Sequence, residues 1–168
     1  MRFLSIFVLA CWGIFASPRA HAQNEVPLEY QVKAAYLVNF FKFLQWPDSE
    51  NSSQKTICVL GPNKFGTALD VIVESAPDSE RLKVARFESE RKFKESAAEC
   101  GILFVGAESR FLEASQAGAG VVVVGEENPA AHINLVLVDG KVKFRIQQER
   151  LEAVGVKVSS KLMKLALP

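Results

Sequence analysis

Apolar positions along the chain follow two different spacings, and the change between them marks out the elements. Over residues 29–46 the spacing is helical: on a wheel of about 100° per residue, Tyr36, Leu37, Phe40, Phe41, Phe43 and Leu44 share one broad arc, with Lys42 and Gln45 opposite. Pro47 stops that helix. A polar loop over 48–54 leads to the short apolar run 56–60, ended by Gly61-Pro62, which reads as a buried strand. A helix is expected over 65–73 with Asn63 as its cap, a second strand over 82–87 after the turn around Pro77, and a charged helix over 89–99 capped by Ser89. A third strand follows at 101–105, then a helix at 109–117 ending in Gly118 and Gly120, and a fourth strand at 121–124.

Strands that are continuous apolar runs belong where helices cover both faces of a parallel sheet. Helical segments between them argue for βαβ crossovers. Beyond residue 130 the pattern changes: 133–138 and 141–146 flank Asp139-Gly140, a strong hairpin signal. A last helix is expected over 159–167, capped by Ser159 or Ser160 after a break at Gly155. The fold class is therefore α/β: a three-layer sandwich whose mostly parallel sheet of about four strands is extended by a C-terminal β-hairpin and flanked by N- and C-terminal helices.

The N-terminus alters the charge balance. Met1-Arg2 is a short basic start, an apolar run follows over 3–15, and Ala20-His21-Ala22 is a small-x-small cleavage pattern. The run is shorter than the roughly 20 residues that cross a bilayer, so a secretory signal at 1–22 is expected rather than an anchor. Its removal takes Arg2 and Arg19 away, leaving 18 basic residues against 19 acidic ones over 23–168. A near-neutral chain with 49% hydrophobic residues has neither the basic surface of a nucleic-acid binder nor the composition of a disordered tail. Residues 23–168 are expected to form one exported domain.

Export also bears on the cysteines. Only Cys58 and Cys100 remain after cleavage, and disulfides persist in that compartment. A bridge closing a loop of about 40 residues would stabilise by roughly 4 kcal/mol. Two buried thiols are the alternative; zinc is poorly supported by a single histidine, His132, and no Cys-x-x-Cys spacing.

Catalytic constellations are missing from the pattern. His132 has no Gly-x-Ser-x-Gly context and reads as a solvated loop histidine beside Pro129. Glu126-Glu127 reads as a solvated turn rather than a cation site. Gly61-Pro62-Asn63-Lys64 lies between strand and helix, where anions bind, but lacks phosphate-loop spacing and reads as a plain turn. No enzyme activity, no catalytic residue, no metal and no cofactor are expected.

The segment from Lys33 to Pro47, Lys-Ala-Ala-Tyr-Leu-Val-Asn-Phe-Phe-Lys-Phe-Leu-Gln-Trp-Pro, resembles the opening helix of the YfiR-like periplasmic proteins. Three further pieces fit in the same order: Ile57-Cys-Val-Leu-Gly61 with Phe65-Gly66, then Cys100-Gly-Ile-Leu-Phe-Val105, then Ala153-Val-Gly-Val-Lys-Val-Ser-Ser-Lys-Leu-Met-Lys-Leu-Ala166. The resemblance implies an α/β regulator that docks on the periplasmic portion of an inner-membrane diguanylate cyclase and holds it inactive, lowering cyclic di-GMP. It also implies a Cys58–Cys100 pairing, since the family pattern has a cysteine in the first strand and another before the third. A second cysteine pair, carried by redox-controlled members, is missing, and Gln147-Gln148 stands where the family usually shows an asparagine, so neither role transfers.

The aromatic helix is the natural contact element. Lys33 shares the arc of Leu37, Phe40 and Leu44, so its ammonium must snorkel out or meet an anionic or carbonyl partner. Six large apolar residues plus Trp46 exceed what one buried face needs, which leaves aromatic surface for a partner. A partner or ligand cleft is therefore expected between this helix and the C-terminal one, lined by Lys33, Tyr36, Phe40, Trp46, Ser159 and Ser160. The occupant that the resemblance implies is the periplasmic domain of an inner-membrane diguanylate cyclase, with a sensor kinase as the alternative partner. The alternative function is a periplasmic small-molecule-binding component of a kinase or transport system, holding an anionic or aromatic ligand. A homodimer is a further partner this reading admits.

Overall fold

The computed structural model describes residues 25–47, 55–76, 82–109 and 117–168. The expected signal segment and most of the helix expected at 109–117 lie outside the described residues. Among those described, no helix is long and apolar enough to cross a membrane.

The aromatic segment forms α1 (Leu28–Phe43), which buries Lys33, Ala34, Leu37, Val38 and Phe40. It ends before Pro47 because the next residues pair elsewhere: Leu44 turns extended and β1 (Leu44–Gln45) forms an antiparallel ladder with β8 (Lys157–Val158). The first long strand is β2 (Thr56–Leu60), buried at every position. α2 (Ala68–Ser75) starts later than expected, after Thr67, and Asn63 does not cap it but donates to the Gly66 carbonyl. β3 (Lys83–Phe87) and α3 (Glu90–Ser96) follow, with the Ser89 hydroxyl accepting from the Lys92 N–H as expected of a cap. One 3-10 turn over Ala97–Glu99 leads into β4 (Ile102–Val105). β5 (Val122–Glu126) runs two residues past the expected strand end.

The hairpin β6 (Ile133–Val138) and β7 (Lys141–Ile146) has the expected bounds, its turn made by Asp139 and Gly140 at φ 51° and 70°. Both central residues at positive φ match the right-handed twist of the strands they join. α4 (Gln148–Ala153) was not foreseen, being polar except for the buried Leu151. The expected terminal helix is short, α5 (Ser160–Met163), with the Ser159 hydroxyl accepting from Leu162 N–H. The chain then runs beside the sheet edge, where the Leu167 N–H donates to the Phe144 carbonyl.

The main sheet has the order β3-β2-β4-β5-β6-β7. β3 to β6 are mutually parallel, and only β7 is antiparallel. β6 lies beside β5 through just the 127–132 connection. A Cβ at Gly125 would sit 2.7 Å from Asn128 Cβ and 2.9 Å from Ala131 Cβ, so that close return requires glycine. Leu37 and Phe40 of α1 and Leu69 and Val73 of α2 pack with Ile57, Val59, Ile102 and Phe104 on one face. Phe93 of α3 packs with Cys58, Leu60, Leu103 and Val105 on the other. Two helical layers enclosing one sheet make the α/β three-layer sandwich. The order of strands reverses between β2 and β4, and such reversals open a crevice outside the carboxyl ends of the strands.

Candidate functional site

Charged side chains gather at that carboxyl end. β5 delivers Glu126 there, α1 brings Glu29, Tyr30 and Lys33 from its first two turns, and the segments leaving β2 and β4 bring Lys64 and residues 107–108. Lys33 is 2% exposed and is paired with both Glu29 and Glu126. It does not snorkel, because the second turn of α1 faces the sheet and the route to water is closed by its own partners. Glu126 accepts from Lys33, from the Tyr30 hydroxyl at 2.8 Å and from the Ala107 N–H at 3.1 Å. Lys64 stands 4.0 Å from its second oxygen and 3.0 Å from Glu108 at the solvent side. Tyr30 holds the centre: its ring lies 4.7 Å below the Lys33 ammonium and edge-on to Phe65 at 5.6 Å.

The ionisation states follow from these contacts. Burial works against the Lys33 charge, but the hydrogen bonds to Glu126 and Glu29 outweigh it and raise its pKa. Burial likewise opposes the Glu126 charge, and the bonds from Lys33, Ala107 and Tyr30 outweigh it, holding the carboxyl below its ordinary value. Burial first, and Glu126 second, push the Tyr30 phenol up. Lys64 is raised chiefly by its bond to Glu108. The carboxylate is thus held ionised at neutral pH, with three hydrogen bonds shared between its two oxygens. Glu126 is therefore no solvated turn residue: it ends a strand whose neighbours are buried, and only its successor Glu127 is exposed.

His132 is also not in solvent. It is 1% exposed, its Nδ1 accepts from the Val123 N–H at 2.9 Å, and its pKa is pushed down to about 4, chiefly by burial and secondarily by the Arg150 charge. The 127–132 connection tucks it under β5 instead of leaving it on a loop tip. Among the described residues, no group of three or more His, Cys, Asp or Glu side chains is arranged to hold a metal ion. Cys58 and Cys100 are joined by a disulfide, with Cα atoms 5.8 Å apart.

At the opposite end of α1, backbone pairing joins the extension of that helix to the residues just before the C-terminal one. Leu44 pairs with Val158, Gln45 with Lys157, and the Ser159 N–H donates to the Phe43 carbonyl at 2.9 Å. Phe40 is fully buried against Phe144, with ring centroids 5.4 Å apart. Trp46 is 8% exposed, stacks on Phe41 and donates its indole N–H to the Gly120 carbonyl at 2.7 Å. Tyr36 is half-buried, its hydroxyl 3.4 Å from the Val142 carbonyl; Ser159 is half-buried and Ser160 exposed. The structure thus places Tyr36 and Phe40 against Phe144, Trp46 against Phe41 and Gly120, and Ser159 on the Phe43 carbonyl with Ser160 exposed beside it, and it separates Lys33 from them into the charged cluster.

The sequence singles out Lys33 but not its partners Glu29, Tyr30 and Glu126. The one available signal is a lysine on an apolar arc, which must snorkel out or meet an anionic or carbonyl partner. A family model described as YfiR/HmsC-like matches residues 30–167 of the chain. No curated protein matches it.

Proposed function

The chain belongs to the YfiR/HmsC-like family, and from that premise we propose that it is a periplasmic binding protein that restrains a membrane-bound diguanylate cyclase by contacting the enzyme's periplasmic portion, lowering cyclic di-GMP. The family comprises periplasmic, non-catalytic regulators of diguanylate cyclase signalling. The match over nearly all of the described chain is the observation that carries the reading. The Cys58–Cys100 disulfide agrees with a compartment in which such bonds persist. The charged groups of the cluster are paired with one another, which suits a role that needs no proton transfer.

The contact surface in this reading is the junction of α1 with the C-terminal segment. Its buried members, Phe40, Trp46 and the half-buried Ser159, set the shape, and Tyr36 and Ser160 offer atoms to a partner. Aromatic residues at the centre of such surfaces carry much of the binding energy.

The test is a deletion strain of the native host, with cyclic di-GMP measured beside a periplasmic pull-down by the tagged chain. A rise in the nucleotide and capture of a membrane cyclase are expected. An unchanged nucleotide level overturns the proposal.

A further inference from the structure

Glu126 sits where doubly wound sheets receive their ligands, outside the carboxyl ends of the strands beside the reversal of strand order. The donors around it are those of a binding site: a desolvated ammonium from Lys33, a phenol O–H from Tyr30, a backbone N–H from Ala107, and the Lys64 ammonium at 4.0 Å. They come from three separate parts of the chain and converge on a single carboxylate. Lys64 and Glu108, paired at 3.0 Å, stand between that carboxylate and solvent. Glu29 holds Lys33 from the outer side.

We propose that this cluster is a carboxylate-binding site which the chain fills with its own Glu126 side chain, and that it accepts a free carboxylate of acetate size once that side chain is cut back. Glu126→Ala removes one methylene and the carboxylate, which are the atoms of an acetate ion. The vacated site keeps the buried Lys33 ammonium, bonded then to Glu29 alone, and an unbonded Ala107 N–H, groups that are costly to leave short of partners. In the native chain the same logic closes this end of the sheet to small anions, because an incoming ligand must first displace a carboxylate already bonded on both oxygens.

The experiment compares thermal unfolding of the wild-type chain, Glu126→Ala and Glu126→Gln in sodium acetate and in sodium chloride at equal ionic strength and neutral pH. Acetate is expected to raise the Tm of Glu126→Ala in proportion to the logarithm of its concentration, as a ligand bound only by the folded state does. Wild type and Glu126→Gln, whose sites stay filled, register only the general salt effect, and adding Lys33→Met to Glu126→Ala abolishes the response. If Glu126→Ala does not fold in chloride, its refolding yield replaces Tm, and higher recovery in acetate is expected. Equal Tm, or equal yield, in the two salts overturns the proposal.

Discussion

Lys33 of α1 and Glu126 of β5, 93 positions apart in the chain, form an ion pair from which water is almost excluded, the two side chains being 2% and 7% exposed. The pair fastens the first helix to the carboxyl end of the sheet. Its contribution is asymmetric: the intact pair is weak evidence of stability, whereas either half alone is a buried charge without its partner.

Breaking one half is therefore expected to cost more than replacing both. Lys33→Met should destabilise by about 3–5 kcal/mol, with Glu126 left to Tyr30 and Ala107. The double variant Lys33→Met/Glu126→Leu should recover most of that loss. Urea unfolding of the two singles and the double closes the cycle, and additive losses would contradict a coupled pair.

Acid should unfold the chain through His132. Its folded pKa is about 4 against an ordinary 6.5, so the unfolded chain binds the extra proton first as the pH falls between those values. Stability is then full above pH 6.5 and declines toward pH 4, by roughly 3 kcal/mol over the window. Glu126, held below its ordinary 4.5, adds a further loss in the same direction at lower pH. His132→Gln keeps an acceptor near the Val123 N–H and removes the titration. Its stability should be nearly flat from pH 6.5 to 4.5 by urea unfolding, and a slope like the wild type's would contradict the assignment.

The elements legible in the sequence are those specified by their own residues. Asp139-Gly140 sets the hairpin register locally, and both strand bounds could be read from it. Ser89 and Ser159 were legible as caps for the same reason. What was not legible depends on distant partners. Leu44 and Gln45 continue the helical pattern of α1, and only the ladder with Lys157 and Val158 draws them out of it. Lys33 on an apolar arc leaves snorkelling, an anion or a carbonyl open, and nothing near it in the chain names Glu126. His132 and Glu126 were misread because their polarity was taken for exposure, while the 127–132 connection folds inward.

Reduction should be slow and expensive. Cys58 is fully buried and Cys100 is 2% exposed, so both sulfurs lie beneath α3 and the sheet. The bridge closes a separation of 42 residues, for which chain entropy gives about 4 kcal/mol. The Cys58→Ala/Cys100→Ala variant should lose an amount of that order in urea unfolding. In the native wild type, reductant followed by an alkylating reagent should label neither cysteine until denaturant is added, and prompt labelling would mean that the β2–β4 region opens far more readily than its packing implies.

Residues on a single helix and its extension should separate by whether they serve the core or the surface. Phe40→Ala removes a fully buried ring packed on Phe144 and should cost about 3–5 kcal/mol of stability. Trp46→Ala also breaks the indole bond to Gly120 and should fall in the same range. Tyr36, half-buried against Phe40 and Phe144, keeps part of its surface in solvent, and Ser160 is exposed. Tyr36→Ala is expected to weaken cyclase binding by about 1–2 kcal/mol, and Ser160→Tyr to weaken it sterically while leaving Tm nearly unchanged. Binding measured by titration calorimetry against the isolated periplasmic portion of the cyclase, beside Tm for each variant, separates the two effects. Unaltered affinity in both Tyr36→Ala and Ser160→Tyr would move the contact surface away from this junction, because both positions are left partly or fully in solvent there.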